Sequence, residues 1–137
     1  MTKETNAIKK KALENDPYRH MMSVLFCKWK PYIVRGIFSS KDEPTYFSTF
    51  LKKLPITQKE LSRNLKELES DGFVCRIVIP TVPPRVEYRL TDVGQSLIPL
   101  LDLVYDMGWK DRKYKNLPID EIGEKLHGYT DKNTMDK

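Results

Sequence analysis

Cysteine is scarce in this chain: two residues among 137, Cys27 and Cys75, far apart in sequence. Two isolated thiols do not make a disulfide framework, so a reducing cytoplasm is the expected setting. Histidine is equally rare. His20 and His127 lie in unrelated segments, and no Cys/His/carboxylate group has metal-ligand spacing. The six glycines form no phosphate-cradling loop, and no serine sits in a nucleophile elbow. An enzyme, a metal site and a bound cofactor are therefore not expected. No apolar run approaches the length that spans a bilayer, and the polar, lysine-rich amino terminus lacks the apolar core of a signal peptide. No membrane association is expected, and there is no internal repeat.

What is present is positive charge and one well-punctuated segment. The formal net charge is +5 and the sequence pI about 9.1, which favours an anionic partner. The length suits one domain with a real core and some tail. Residues 57–91 read as a capped helix, a glycine stop, a strand, a proline-rich tip and a returning strand. Thr57-Gln58-Lys59-Glu60 is a capping box, in which the threonine hydroxyl takes an orphan amide and Glu60 reaches back to the Thr57 amide. Leu61, Leu65 and Leu68 make one apolar stripe, and Asp71-Gly72 ends the run. At roughly 100° per residue, Lys59, Ser62, Arg63 and Lys66 fall opposite that stripe. Residues 73–79 suit a strand, Pro80 ends its pairing, and residues 81–85 form a stiff tip. Alternation then puts Val86, Tyr88 and Leu90 on one face of the returning strand and Arg85, Glu87 and Arg89 on the other, with Arg85 left at the tip.

The remaining segments read as helices. Asp16-Pro17 opens one, with Tyr18, Met21, Met22, Leu25 and Phe26 as apolar surface. A second opens near Lys28 and runs through Trp29, a core anchor, to Phe38; residues 39–44 form a polar loop. A third covers residues 46–54 and meets the 57–71 helix across Pro55-Ile56, a helix-turn-helix. Thr91 caps the last long helix, kinked at Pro99. That helix is apolar on more than one face, so a second surface must cover it; a partner subunit is expected, against the alternative that the chain's own amino-terminal helix does so.

The run Ile56-Thr57-Gln58-Lys59-Glu60-Leu61 through Leu65 to Gly72 resembles the recognition-helix signature of the HxlR family of bacterial and archaeal transcriptional regulators. Val82-Pro83-Pro84-Arg85-Val86-Glu87-Tyr88 resembles its wing, Lys28-Trp29-Lys30 its early Lys-Trp-Lys motif, and Leu90-Thr91-Asp92-Val93-Gly94 the start of its carboxy-terminal helix. The similarity runs from about Asp16 to Trp109. The chain has Phe26 and Cys27 where the family often has two glycines, and lacks the glycine usual between Pro55 and Ile56. The resemblance implies a mostly α fold with a small β-ribbon, a MarR-like winged helix-turn-helix with flanking dimerisation helices, and a homodimer on a two-fold site in double-stranded DNA. The expected organisation is a polar arm or short helix over residues 1–15, the winged domain with its dimerisation helix over 16–110, and a polar tail over 111–137 that allows a short helix.

The expected DNA contacts are Thr57, Gln58, Lys59, Ser62, Arg63 and Lys66 from the recognition helix, 57–71, with Lys53 before it and Arg85 on the wing, 74–90. Gln58 matches an adenine edge and Lys59 or Arg63 a guanine edge, while Lys53, Lys66 and Arg85 suit phosphate. The expected dimer contacts are Leu97, Ile98, Leu101, Val104, Tyr105 and Trp109. Cys27, just before a cation and near a helix start, is a candidate redox sensor weighed against an inert thiol, so a small-molecule or redox effector stays open. The alternative function is a winged-helix protein-interaction module without DNA binding, motivated by Glu60, Glu67, Glu69 and Asp71 among the cations.

Overall fold

The computed structural model describes residues 13–129; most of the expected amino-terminal arm, and the tail beyond 129, lie outside them. The described chain begins with α1 (Pro17–Leu25), α2 (Lys30–Ser39), β1 (Thr45–Tyr46), α3 (Phe47–Lys53) and α4 (Gln58–Ser70). The wing strands β2 (Val74–Ile79) and β3 (Arg85–Leu90) follow, then α5 (Asp92–Ser96), α6 (Ile98–Tyr114) and α7 (Glu121–Leu126). The fold is mostly helical with a small antiparallel sheet, as expected.

Local chemistry sets the helix ends. Asp16 accepts the Arg19 amide at 2.9 Å, and Pro17 occupies the first turn of α1, where a missing amide is harmless. In α4 both arms of the capping box form: the Glu60 amide donates to Thr57 Oγ1 and the Thr57 amide to Glu60 Oε2, each at 3.1 Å. At the other end Gly72 takes φ +81°, the Gly72 amide reaches the Glu69 carbonyl and the Phe73 amide the Leu68 carbonyl, which is a Schellman stop. The leucine stripe is the centre of the core: Leu61, Leu65 and Leu68 are fully buried, with Ile33 and Val34 of α2, Val24 of α1 and Val74 of β2.

Four expectations need correction. The ribbon is three-stranded, in the order β1-β3-β2, because Thr45 and Tyr46 pair with Tyr88 and Glu87. Tyr46 is thus strand rather than helix, and α3 starts one residue later, its entry fixed by the Tyr46 amide donating to Thr49 Oγ1. Glu87 does not face solvent: β1 lies alongside it, its side chain is buried, and Arg89 clasps it at 2.8 Å. Pro99 does not kink one long helix. Thr91 caps the five-residue α5, and a new helix opens at Ile98 with Pro99 in its first turn.

Candidate nucleic-acid interface

The helix pair α3–α4 holds the candidate surface. Burying the leucine stripe forces the opposite face of α4 outward, so Thr57, Gln58, Lys59, Arg63 and Lys66 are exposed and Ser62 half-buried. Lys53 is exposed at the end of α3, immediately before the turn into α4. Among the described residues, none of Lys53, Lys59, Arg63 and Lys66 is engaged in an ion pair.

Two of the carboxylates interspersed with these cations, Glu60 and Glu67, have partners elsewhere. Glu60 closes the capping box, and the Thr57 amide holds its carboxyl below the usual range. Glu67 pairs with the buried Lys30 Nζ at 2.6 Å, tying α4 to α2. That partner comes from the Lys-Trp-Lys motif, not from the neighbouring turn of the helix, and sequence spacing gave no sign of it. Asn64 is buried: its Nδ2 donates to the Glu60 carbonyl at 2.7 Å, and the Cys27 thiol donates to its Oδ1 at 3.5 Å. Cys27 therefore stands half-buried in the turn between α1 and α2, three residues ahead of the helix start.

Arg85 pairs with Ile79 as β3 opens, so it stands at the base of the tip rather than on it, with its guanidinium 5.8 Å from the Tyr46 ring centroid. The tip beyond carries Thr81, whose hydroxyl donates to the Pro83 carbonyl at 2.8 Å. Two exposed cations escaped the sequence reading as candidate contacts. Arg76 is exposed on β2, and Lys28 lies over the Trp29 ring at 5.1 Å and acts electrostatically on Glu60 at the start of α4. The only sequence signal for either was membership in a quoted motif or strand.

The expected dimer residues separate into two groups. Leu97, Ile98, Leu101 and Trp109 are buried within the chain itself, and Tyr105 is half-buried. Val104 is exposed, on a stripe with Leu100, Leu103 and Met107. Among the described residues, the carboxy-terminal segment supplies cover for α6. His127 Nδ1 meets Asp102 Oδ1 at 2.6 Å, the same oxygen that Arg35 Nε reaches at 2.8 Å. The His127 ring stacks on Tyr105 with centroids 4.2 Å apart, and the Tyr129 hydroxyl donates to Asp106. Burial, opposed by the Asp102 carboxylate, pulls the His127 pKa down, and desolvation pushes the Tyr105 phenol up to about 12. Gly123 is the contact point on α7, since a Cβ there would stand 2.8 Å from the Tyr105 ring.

Among the described residues no group of three or more His, Cys, Asp or Glu could hold a metal ion, and no helix is long and apolar enough to cross a membrane.

A capped cationic helix following a short helix, backed by a three-stranded wing, defines a winged helix-turn-helix protein of the transcription-regulator class. The HxlR-like helix-turn-helix family matches residues 24–116, and the chain belongs to that family. It is 38% identical over 105 residues to an HTH-type transcriptional regulator of Halalkalibacterium halodurans, covering 76% of this chain and 91% of that one. It is 37% identical over 102 residues to the HTH-type transcriptional regulator YdeP of Bacillus subtilis, covering 72% and 77%. Among solved structures, the HTH-type transcriptional regulator YtcD superposes with a TM-score of 0.65 at 34% identity, covering 72% of this chain and 98% of that one. The redox regulator HypR in its reduced form gives 0.65 at 34%, covering 74% and 98%. The protein is thus a transcriptional regulator with a winged helix-turn-helix fold, and relatives of this kind accord with a non-enzymatic role.

Proposed function

We propose that the protein acts in the cytoplasm as a homodimer on a two-fold operator, with α4 in the major groove and the wing against flanking backbone or minor groove. One observation carries the reading: the outward face of α4 presents Gln58, Lys59, Arg63 and Lys66 to solvent while the nearby carboxylates Glu60 and Glu67 are held in a cap and an ion pair. Glu60 and Glu67 thus have partners other than the outward cations, and Lys53, Lys59, Arg63 and Lys66 form no ion pair among the described residues, which weakens the motive for a protein-interaction module. Gln58, Lys59 and Arg63 suit base edges; Thr57, Ser62, Lys66, Lys53 and Arg85 suit the backbone. The exposed stripe of Leu100, Leu103, Val104 and Met107 supports a helix-to-helix dimer seam, which would set two recognition helices about 34–36 Å apart, one turn of DNA.

The test is a binding titration on an operator selected from random duplexes. Arg63→Ala, losing a base contact, should cost about 1–3 kcal/mol and relax specificity. Arg85→Ala, losing a phosphate contact, should weaken binding evenly and flatten the salt slope by about one. Unchanged binding in both variants rejects the assignment.

A further inference from the structure

A cavity of about 420 Å³ lies where α2, α3 and α7 meet, a size ligand pockets commonly take, roughly 300–1,000 Å³. Its walls are apolar, from Phe50 and Leu54 on one side and Ile122 and Leu126 on the other. Gly36 leaves the floor open: a Cβ there would meet Leu126 Cδ2 only at 3.8 Å and Phe50 Cε1 at 4.0 Å. The hydroxyls of Ser39 and Ser40, which also line it, both donate to the Gly36 carbonyl, so their protons are already engaged. Beside the hydroxyls of Tyr32, Thr45 and Thr49, the lining offers two ammonium groups, Lys53 and Lys125, and it includes no carboxylate. Lys125 has a loose surface pair with Glu121 at 3.5 Å, of the kind that exchanges readily for a better partner. Lys53 has no ion-pair partner among the described residues. Ile122, Lys125 and Leu126 lie past the stretch that the family match covers, residues 24–116, so one wall belongs to this chain's own carboxy-terminal segment.

We propose that this cavity binds a small organic anion with an apolar body, its carboxylate taken by Lys53 and Lys125. Apolar walls favour the hydrocarbon body, and two cations without an acidic lining neighbour favour the negative head. A neutral polar ligand would leave Lys53 without a counter-charge. Lys53 stands at the end of α3, next to the turn that leads into α4, where a DNA phosphate would also call on it. A carboxylate bound to Lys53 withdraws it from that phosphate, so the anion lowers DNA affinity. This coupling rests on the function proposed above; the binding itself does not.

The test uses the full chain and isothermal titration with phenylacetate and octanoate, against the neutral phenylacetamide and octanamide. At least one anion should bind and its amide should not. Lys125→Gln should weaken the anion by about tenfold, the scale of one charge-assisted contact, and leave DNA affinity without anion unchanged. Gly36→Leu should abolish anion binding by filling the floor, while its helix gains propensity and its melting temperature does not fall. In a parallel DNA titration, the bound anion should weaken operator binding of the unmodified chain. No anion binding up to millimolar concentration, or equal binding by both variants, overturns the site. Anion binding with unchanged operator affinity overturns the coupling. A chain that binds the anion but no DNA overturns the proposed function and leaves the site standing.

Discussion

Gly94 shows how much one residue can decide. A Cβ at this position would stand 2.0 Å from the Phe73 carbonyl oxygen, which also accepts the Thr91 amide at 3.1 Å. The absence of a side chain lets α5 press onto the strand entry where the recognition helix hands over to the wing. Gly94→Ala should therefore destabilise by about 1–3 kcal/mol, read as a lower urea midpoint. Thr57 works through hydrogen bonds instead. Its hydroxyl receives the Glu60 amide and its own amide is answered by the Glu60 carboxylate. Thr57→Ala should cost about 1 kcal/mol of folding stability, while Thr57→Ser should cost much less; equal losses in the two would refute the cap. Both residues were visible in the sequence, Thr57 through its spacing to Glu60 and Gly94 as part of a motif. The reason for Gly94 was not visible, because the atom it avoids belongs to a residue 21 positions earlier.

At the scale of elements, the recognition helix is held by more than its leucines. Lys30 is nearly buried in α2 and reaches Glu67 on α4, whose side chain is half exposed. Removing the acid strands the cation. Glu67→Ala should cost about 1–3 kcal/mol, whereas the double change Lys30→Met with Glu67→Ala should recover most of that, since a buried pair is often replaceable by apolar packing. A double-mutant cycle by thermal unfolding measures it; additive losses would show the pair to be uncoupled. The helix periods and their caps were legible, and so were the wing strands, because both leave a repeating signature in the chain. The two-residue β1 left none. It is a strand only because β3 lies beside it and takes its hydrogen bonds. The same pairing covers Glu87, which alternation alone assigns to the outer face.

For the molecule as a whole, the carboxy-terminal segment and the apolar stripe of α6 set the behaviour. His127 is partly desolvated against Tyr105, Asp102 and Arg35, and its pKa lies below the ordinary 6.5. The unfolded chain thus binds a proton that the folded chain resists. The stabilising contribution is complete above about 6.5 and is lost as pH falls through the lower folded value. The melting temperature should drop on acidification below that point, and His127→Gln should flatten the drop; an unaltered slope would sink the assignment. Leu103→Glu on the exposed stripe should convert the proposed dimer to monomer in sedimentation without lowering the melting temperature of the isolated fold. A variant that still sediments as a dimer would place the seam elsewhere.

The sequence by itself determined the recognition helix, its caps, the glycine stop, the wing and the basic balance of the chain. Each of these is local, or summed over the chain, and residue types at short spacing suffice to specify it. The tertiary structure alone decided which carboxylates among the cations are engaged, where Arg85 stands against Tyr46, and which apolar residues of α6 face outward. It also decided that residues 121–129 pack on α6. Those outcomes depend on which groups meet across tens of residues, and contact between distant segments is set by packing of the whole core, which no local period encodes.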